Sequence, residues 1–161
     1  MRYLILLFVF FSCTNHKEFG KKDVNELVDS WHQAASEANF DNYFSLMTEG
    51  THFLGTAAEE NWTKAEFMKF SKPYFDKGKA WNFKMLDRNI YLSEDKNTIW
   101  FDERLDTWMG ICRGSGVLIE ENKKWKIKHY VLSLLIPNET VEAVKSLNDS
   151  INKKILIRLK K

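Results

Sequence analysis

The sequence predicts a single α+β domain in which helices pack on one face of a curved antiparallel sheet. Three observations carry this expectation. Apolar residues recur at helical spacing from Val24 to Ala38 and again from Phe67 to Phe75, whereas strand alternation takes over after Ala80. The chain has 161 residues, 44% of them hydrophobic and 14% aromatic, which suffices for one core and not for two. Seven Gly and two Pro leave little room for a linker or a low-complexity tract, and there is no internal repeat.

Taken in order, the chain opens on Arg2 and the apolar run Leu4 to Phe11, which is too short to span a bilayer as a helix and reads as an export signal. Ser12-Cys13 follows. This step resembles a bacterial lipoprotein signal, in which Cys13 takes a diacylglyceryl group before cleavage, although Phe10 and Phe11 depart from that pattern. An ordinary signal peptide or a buried N-terminal helix are the alternatives. The lipoprotein reading implies an exported protein anchored at the bacterial cell envelope, with a soluble secreted or periplasmic form as the other possibility. The expected organisation is a signal over 1–12, a tether over 13–22, the domain over 23–137 and a C-terminal helix over 138–161. With Cys13 lipidated, Cys112 has no thiol to pair with and reads as a small buried residue.

Asp23-x-x-Glu26 has the form of a capping box before the first amphipathic helix. Asp41 is placed to cap a short second helix through Met47, and Thr51 to Gly55 reads as a short strand. Thr63-x-x-Glu66 is a second capping box, opening a helix whose stripe is Phe67, Phe70, Tyr74 and Phe75 and which Pro73 should kink or shorten. Four strands are then expected, over 81–92, 98–109, 112–120 and 124–136, with turn residues between them and Pro137 at the end of the last.

The segment from Gly114 to Pro137 carries a family resemblance. Its Gly114-x-Gly116 strand, followed by Trp125-Lys126-Ile127-x-His129 and Ser133, resembles the closing hairpin of SnoaL-like domains in the nuclear transport factor 2-like superfamily. Phe53-Leu54-Gly55-Thr56, then Trp62 and the capped helix, fit the same order. The resemblance covers residues 24–137 and implies a cone-shaped fold with a ligand pocket between the helices and the concave face of the sheet. It does not choose among isomerases, cyclases, epoxide hydrolases and non-catalytic binding domains.

Candidate site residues follow from polar groups set in apolar strands. Along the strand expected over 98–109, one face shows Ile99, Phe101, Glu103, Leu105 and Thr107; the other shows Trp100, Asp102, Arg104, Asp106 and Trp108. Glu103 is thus a lone carboxylate on an apolar wall, fit for a general base if desolvated or for an ion pair with Arg113. The pocket candidates are His52, Trp62, Glu103, Arg113 and His129, with His129 also readable as a hydrogen-bonded core residue and His32 as surface or core. Asp102, Arg104 and Asp106 form a second polar set. Arg104-x-Asp106 resembles the water-activating residues of the superfamily's epoxide hydrolases, while an ion-pair ladder or a dimer face is the plainer reading. The four His lack metal-ligand spacing, so no metal and no cofactor is expected.

The expected function is the binding of a small, largely apolar ligand or a protein partner without turnover. An isomerase, cyclase or hydrolase using Glu103 or Asp106 as base is the alternative. A net charge of +2, from 24 basic and 22 acidic residues, gives no field that would recruit nucleic acid. Trp100 and Trp108, large aromatics assigned to the outer face, predict a homodimer through that face. After Pro137, Val141, Val144, Leu147, Ile151, Ile155 and Leu159 form the stripe of a helix with a basic end. That stripe is expected to pack on the domain or on a second copy, or else to lie on an anionic membrane.

Overall fold

A computed structural model of the chain describes residues 19–160. The leader, Cys13 and most of the tether lie outside the described residues. The first helix, α1 (Lys21–Ser36), starts three residues earlier than the capping-box reading placed it. Asp23 sits at the third helical position and its carboxylate accepts a hydrogen bond from the Gly20 amide at 2.9 Å, so it serves the helix start from inside. Phe19, just before the helix, stacks on Trp125 with ring centroids 5.0 Å apart and pins the entry of the chain to the domain.

The short α2 (Phe40–Ser45) is capped by Asn39 and not by Asp41: the Asn39 side chain accepts from the Asn42 amide at 3.1 Å. Two strands follow, β1 (Met47–Leu54) and β2 (Asn61–Thr63). The capping box Thr63-Glu66 is formed at the start of α3 (Lys64–Asp76), where the Glu66 carboxylate accepts from the Thr63 amide at 2.9 Å. This helix carries through Pro73 to Asp76. The meander is β3 (Lys84–Leu92), β4 (Thr98–Thr107), β5 (Gly110–Glu121) and β6 (Lys124–Leu134), and α4 (Val141–Leu159) closes the chain after a single 3₁₀ turn.

The six strands form one sheet in the order β2-β1-β6-β5-β4-β3. All neighbours are antiparallel except β1 and β6, which run parallel, so the sheet is mixed and not wholly antiparallel as expected. Strand alternation speaks only for a strand's own faces. It carries no information on the direction of a partner that lies more than 70 residues away, as Thr51 and Ile127 do.

Helices α1, α2 and α3 cover the concave face. Val24, Val28, Trp31 and Ala35 are the buried stripe of α1, and Phe67, Ser71 and Phe75 that of α3. The space between is filled by rings: Trp31 stacks on Tyr43 at 5.0 Å and meets Tyr130 edge-on at 4.8 Å, while Phe53 stacks on Phe67 at 4.0 Å. Burying a side chain of this kind stabilises the domain by about 1.5 to 3 kcal/mol. Helix α4 adds no fully buried residue to the core: Val144 and Ile155 are half-buried and the rest of its stripe is exposed.

Candidate functional site

Strand β4 behaves as its alternation predicts up to Thr107. Ile99, Phe101, Glu103 and Leu105 are buried; Trp100, Arg104 and Asp106 are exposed, and Asp102 is only partly covered. Glu103 is 1% exposed, and its carboxylate is enclosed by partners from three other elements. His32 of α1 places Nε2 2.8 Å from Oε1, and the Tyr130 hydroxyl of β6 donates to the same oxygen at 2.8 Å. Arg88 of β3 donates from Nε to Oε2 at 2.9 Å, with Nη2 2.8 Å from that oxygen and held there by charge without hydrogen-bond alignment. Arg88 in turn donates from Nη1 to Asn25 and Asp29 of α1, each at 2.9 Å.

The electrostatics follow from this geometry. Burial pushes the Glu103 pKa upward, but the hydrogen bond and charge of His32, the charge of Arg88 and the Tyr130 hydroxyl together outweigh it, and the carboxyl is held below its ordinary value. Tyr130 moves the other way. Burial and the Glu103 charge raise its pKa well above the ordinary phenol value, so it remains a donor. Both carboxylate oxygens are therefore engaged, Oε1 by two hydrogen bonds and Oε2 by one hydrogen bond and a further ionic contact.

Gly114 explains why the Tyr130 hydroxyl can reach this carboxylate. A Cβ built at Gly114 would overlap the Tyr130 hydroxyl and ring and stand 3.0 Å from Glu103 Cγ. The Gly-x-Gly pattern thus makes room for a buried hydrogen bond. Gly116, its companion, faces the ring of Phe101 in the same way, at 2.5 Å from a would-be Cβ.

An open aromatic cavity lies elsewhere, between α3, the loop before β2 and the turn after β4. It has a volume of about 150 Å³ and is lined by Phe53, Trp62, Phe70, Trp81, Phe83 and Trp108 among others, with Glu60 as its one carboxylate. The rings are pre-arranged: Trp62 stacks on Phe70 at 4.4 Å and lies within 10° of parallel to Phe67. Glu103, His32 and Tyr130 do not line this space.

Of the sequence candidates, Trp62 lines the cavity and Glu103 is buried in the interior without lining it. Three are outside. His52 is exposed on β1, Arg113 is exposed on β5, and His129 is half-buried beside His52 on the outer face. The reason for His129 is a bulge. Val117 pairs with His129 but the next residue, Leu118, pairs with Ile127, so Lys128 is the extra residue on β6 and every later side chain changes face. Tyr130 takes the inward position. Burial and the neighbouring His52 charge lower the His129 pKa. Arg113 is no partner of Glu103, because β5 turns Cys112 and Gly114 inward and Arg113 out.

The set Asp102, Arg104 and Asp106 is outside as well, and its arginine is paired across to Asp87 of β3, with Asp102 accepting from Asn89 at 3.1 Å. It forms a cross-strand ladder on the outer side of the sheet, where Asp87, Arg104 and Arg113 border one open depression and Asp102 and His129 border another. Trp108 is the further correction. β4 ends at Thr107, and the tight turn to Gly110 carries Trp108 off the outer face to the cavity mouth, where it is 83% exposed. Among the described residues no cluster of three metal-ligating side chains occurs.

Arg88, Tyr130 and His32 are the residues that sequence reasoning left out of the site. His32 follows Val28 by four positions on the buried face of α1, and Arg88 alternates with the buried Ile90. Those spacings were the available signal.

The family model for SnoaL-like domains matches residues 24–137. No curated protein matches the chain. Solved structures share the fold. An NTF2-like protein from Cytophaga hutchinsonii is 15% identical, with 72% of this chain and 99% of that one covered at a TM-score of 0.60. An NTF2-like protein of unknown function from Pseudomonas putida is 10% identical, with 74% and 89% covered at 0.61. The association domain of C. elegans CaMKII is 19% identical, with 71% and 95% covered at 0.57.

Proposed function

Since this chain belongs to the SnoaL-like domain family, we propose that it is a binding domain that takes a small, largely apolar molecule into the aromatic cavity without turning it over. The observation that supports this most is the separation of two features. The cavity is lined by aromatic rings and holds no acid–base pair, while Glu103, the one fully buried carboxylate among the described residues, is engaged by His32, Tyr130 and Arg88 and does not line it. A general base must stand within hydrogen-bond reach of the proton it takes. The isomerase, cyclase or hydrolase reading would need Glu103 to break its own ion pair first, and Asp106 lies on the exposed face away from the cavity.

A volume of about 150 Å³ suits a single ring with small substituents. Titration with p-cresol, followed by the indole resonances, tests the reading. Saturable shifts at Trp62 and Trp81, with Trp31 unmoved and Trp62→Ala abolishing the response, are expected. Shifts that never saturate, or that persist in Trp62→Ala, would remove the cavity from consideration. Mass spectrometry of molecules retained through purification then identifies the natural occupant.

The setting we propose for this activity is the bacterial cell envelope, with Cys13 as the lipid-bearing residue, on the strength of the Leu4 to Phe11 run and the Ser12-Cys13 step. Fatty-acid labelling of cells checks it: incorporation should vanish in Cys13→Ala. The assembly we propose is a homodimer through the outer face of the sheet. Trp100 and Tyr91 stack there at 5.7 Å while each is more than two-fifths exposed, a cost that a second copy would relieve. The neighbour from C. elegans is itself an association domain.

A further inference from the structure

We propose that α4 is a membrane-surface helix that lies in the headgroup layer of an anionic bilayer. Most of its apolar side chains are exposed: Leu147 is 79% exposed, Ile151 56% and Leu159 75%, with Val144 and Ile155 half-buried. They do not scatter. At 3.6 residues per turn, Val141, Val144, Leu147, Ile151, Ile155 and Leu159 fall along one side of the 19-residue helix.

Charge selects the occupant. Glu142 and Asp149 are each paired within the helix, to Lys145 at 3.2 Å and to Lys153 at 2.6 Å. Beyond Asp149 the chain carries Lys153, Lys154, Arg158, Lys160 and Lys161 and no acidic residue. Within the helix Lys153 projects from the side away from the apolar stripe, Lys154 borders the stripe and Arg158 falls within it, while Leu156 and Ile157 lie off it. An exposed apolar stripe whose last turns carry an excess of basic side chains, long enough to reach outward from it, matches the boundary between acyl chains and anionic headgroups. No described helix is long and apolar enough to cross a bilayer, which leaves the in-plane orientation for α4. A parallel pairing with a second α4 would set basic end against basic end.

Arg158 also pairs with Glu59, in the loop that leads to the cavity residue Glu60. The helix therefore reaches from the end of the sheet to the rim of the cavity. Docking it would hold that rim next to the lipid.

The test uses the full chain with Cys13→Ala, and Leu147→Cys labelled with an environment-sensitive fluorophore; the remaining thiol, Cys112, is buried. On vesicles of phosphatidylcholine mixed with phosphatidylglycerol the emission should shift to the blue and the shift should weaken as salt is added. Lys153→Glu together with Lys154→Glu should weaken the apparent affinity by about tenfold or more, given the attraction of each basic group to an anionic surface. An equal shift on pure phosphatidylcholine overturns the charge argument, and no shift on either vesicle overturns the proposal. A shift that grows with protein concentration in the absence of lipid, with a doubled mass by light scattering, would instead assign the stripe to a second copy and overturn it too.

Discussion

His32 of α1 and Glu103 of β4, 71 positions apart in the chain, meet at 2.8 Å with their side chains 9% and 0% exposed. This contact joins the helical layer to the sheet through a polar bond at the centre of an otherwise apolar interior. Arg88 adds a second charge to the same group. Buried pairs of this sort add little net stability over apolar packing, yet losing one member leaves an uncompensated charge.

Glu103→Ala should therefore cost about 3 to 5 kcal/mol in urea unfolding, as Arg88 and His32 lose their shared acceptor. Glu103→Gln keeps the volume and part of the hydrogen bonding and should cost less.

The same group gives a pH signature whose sign is fixed. The folded carboxyl has a pKa below its unfolded value, so its contribution is complete above the unfolded pKa and drains away as pH falls through the folded one. Stability measured from neutral pH into the acid range should fall, and Glu103→Gln should fall less steeply over that window. Parallel curves for the two proteins would mean that Glu103 is not held low.

Gly114→Ala adds a methyl group where Tyr130 approaches Glu103. Overpacking of this kind costs about 1 to 3 kcal/mol. Combining it with Tyr130→Phe, which removes the oxygen that the methyl group meets, should give a double-mutant cycle with strong coupling. Additive costs would place the strain elsewhere.

Two tryptophans that share a strand in the sequence should behave differently. Trp100→Glu should convert the proposed dimer into a folded monomer by light scattering, because an unpaired carboxylate in an interface costs several kcal/mol. Trp108→Glu should leave the mass unchanged and weaken p-cresol binding at the cavity mouth. A dimer that survives Trp100→Glu would move the interface off this face.

The sequence carried the layers well and the site only in part. Alternation along β4 separates Glu103 from Arg104 without error, since two-residue periodicity is a property of the strand itself. His129 was misplaced because one extra residue at Lys128 inverts the faces beyond it, and neither propensity nor composition marks a bulge there. Trp108 was misplaced because the strand was read two residues too long, past the turn that Gly110 permits with its φ of 102°. The convergence of Arg88, His32 and Tyr130 on one carboxylate is a tertiary fact. Each of the three sits in its own element as an ordinary polar residue beside apolar ones.

The parallel joint between β1 and β6 has a kinetic consequence. Thr51 of β1 donates its hydroxyl to the Ile127 carbonyl at 2.6 Å, and Met47 pairs with that same residue, so the second strand of the sheet waits for the last one to be made. Contacts that span so much chain are slow to form because the loop between them must first be closed. During synthesis β1 can pair with the short β2 that follows it, but its other edge and the aromatic interior stay open until β6 leaves the ribosome. A nascent chain cut anywhere before Ile127 thus lacks the strand that fastens β1 and β2 to the rest of the sheet.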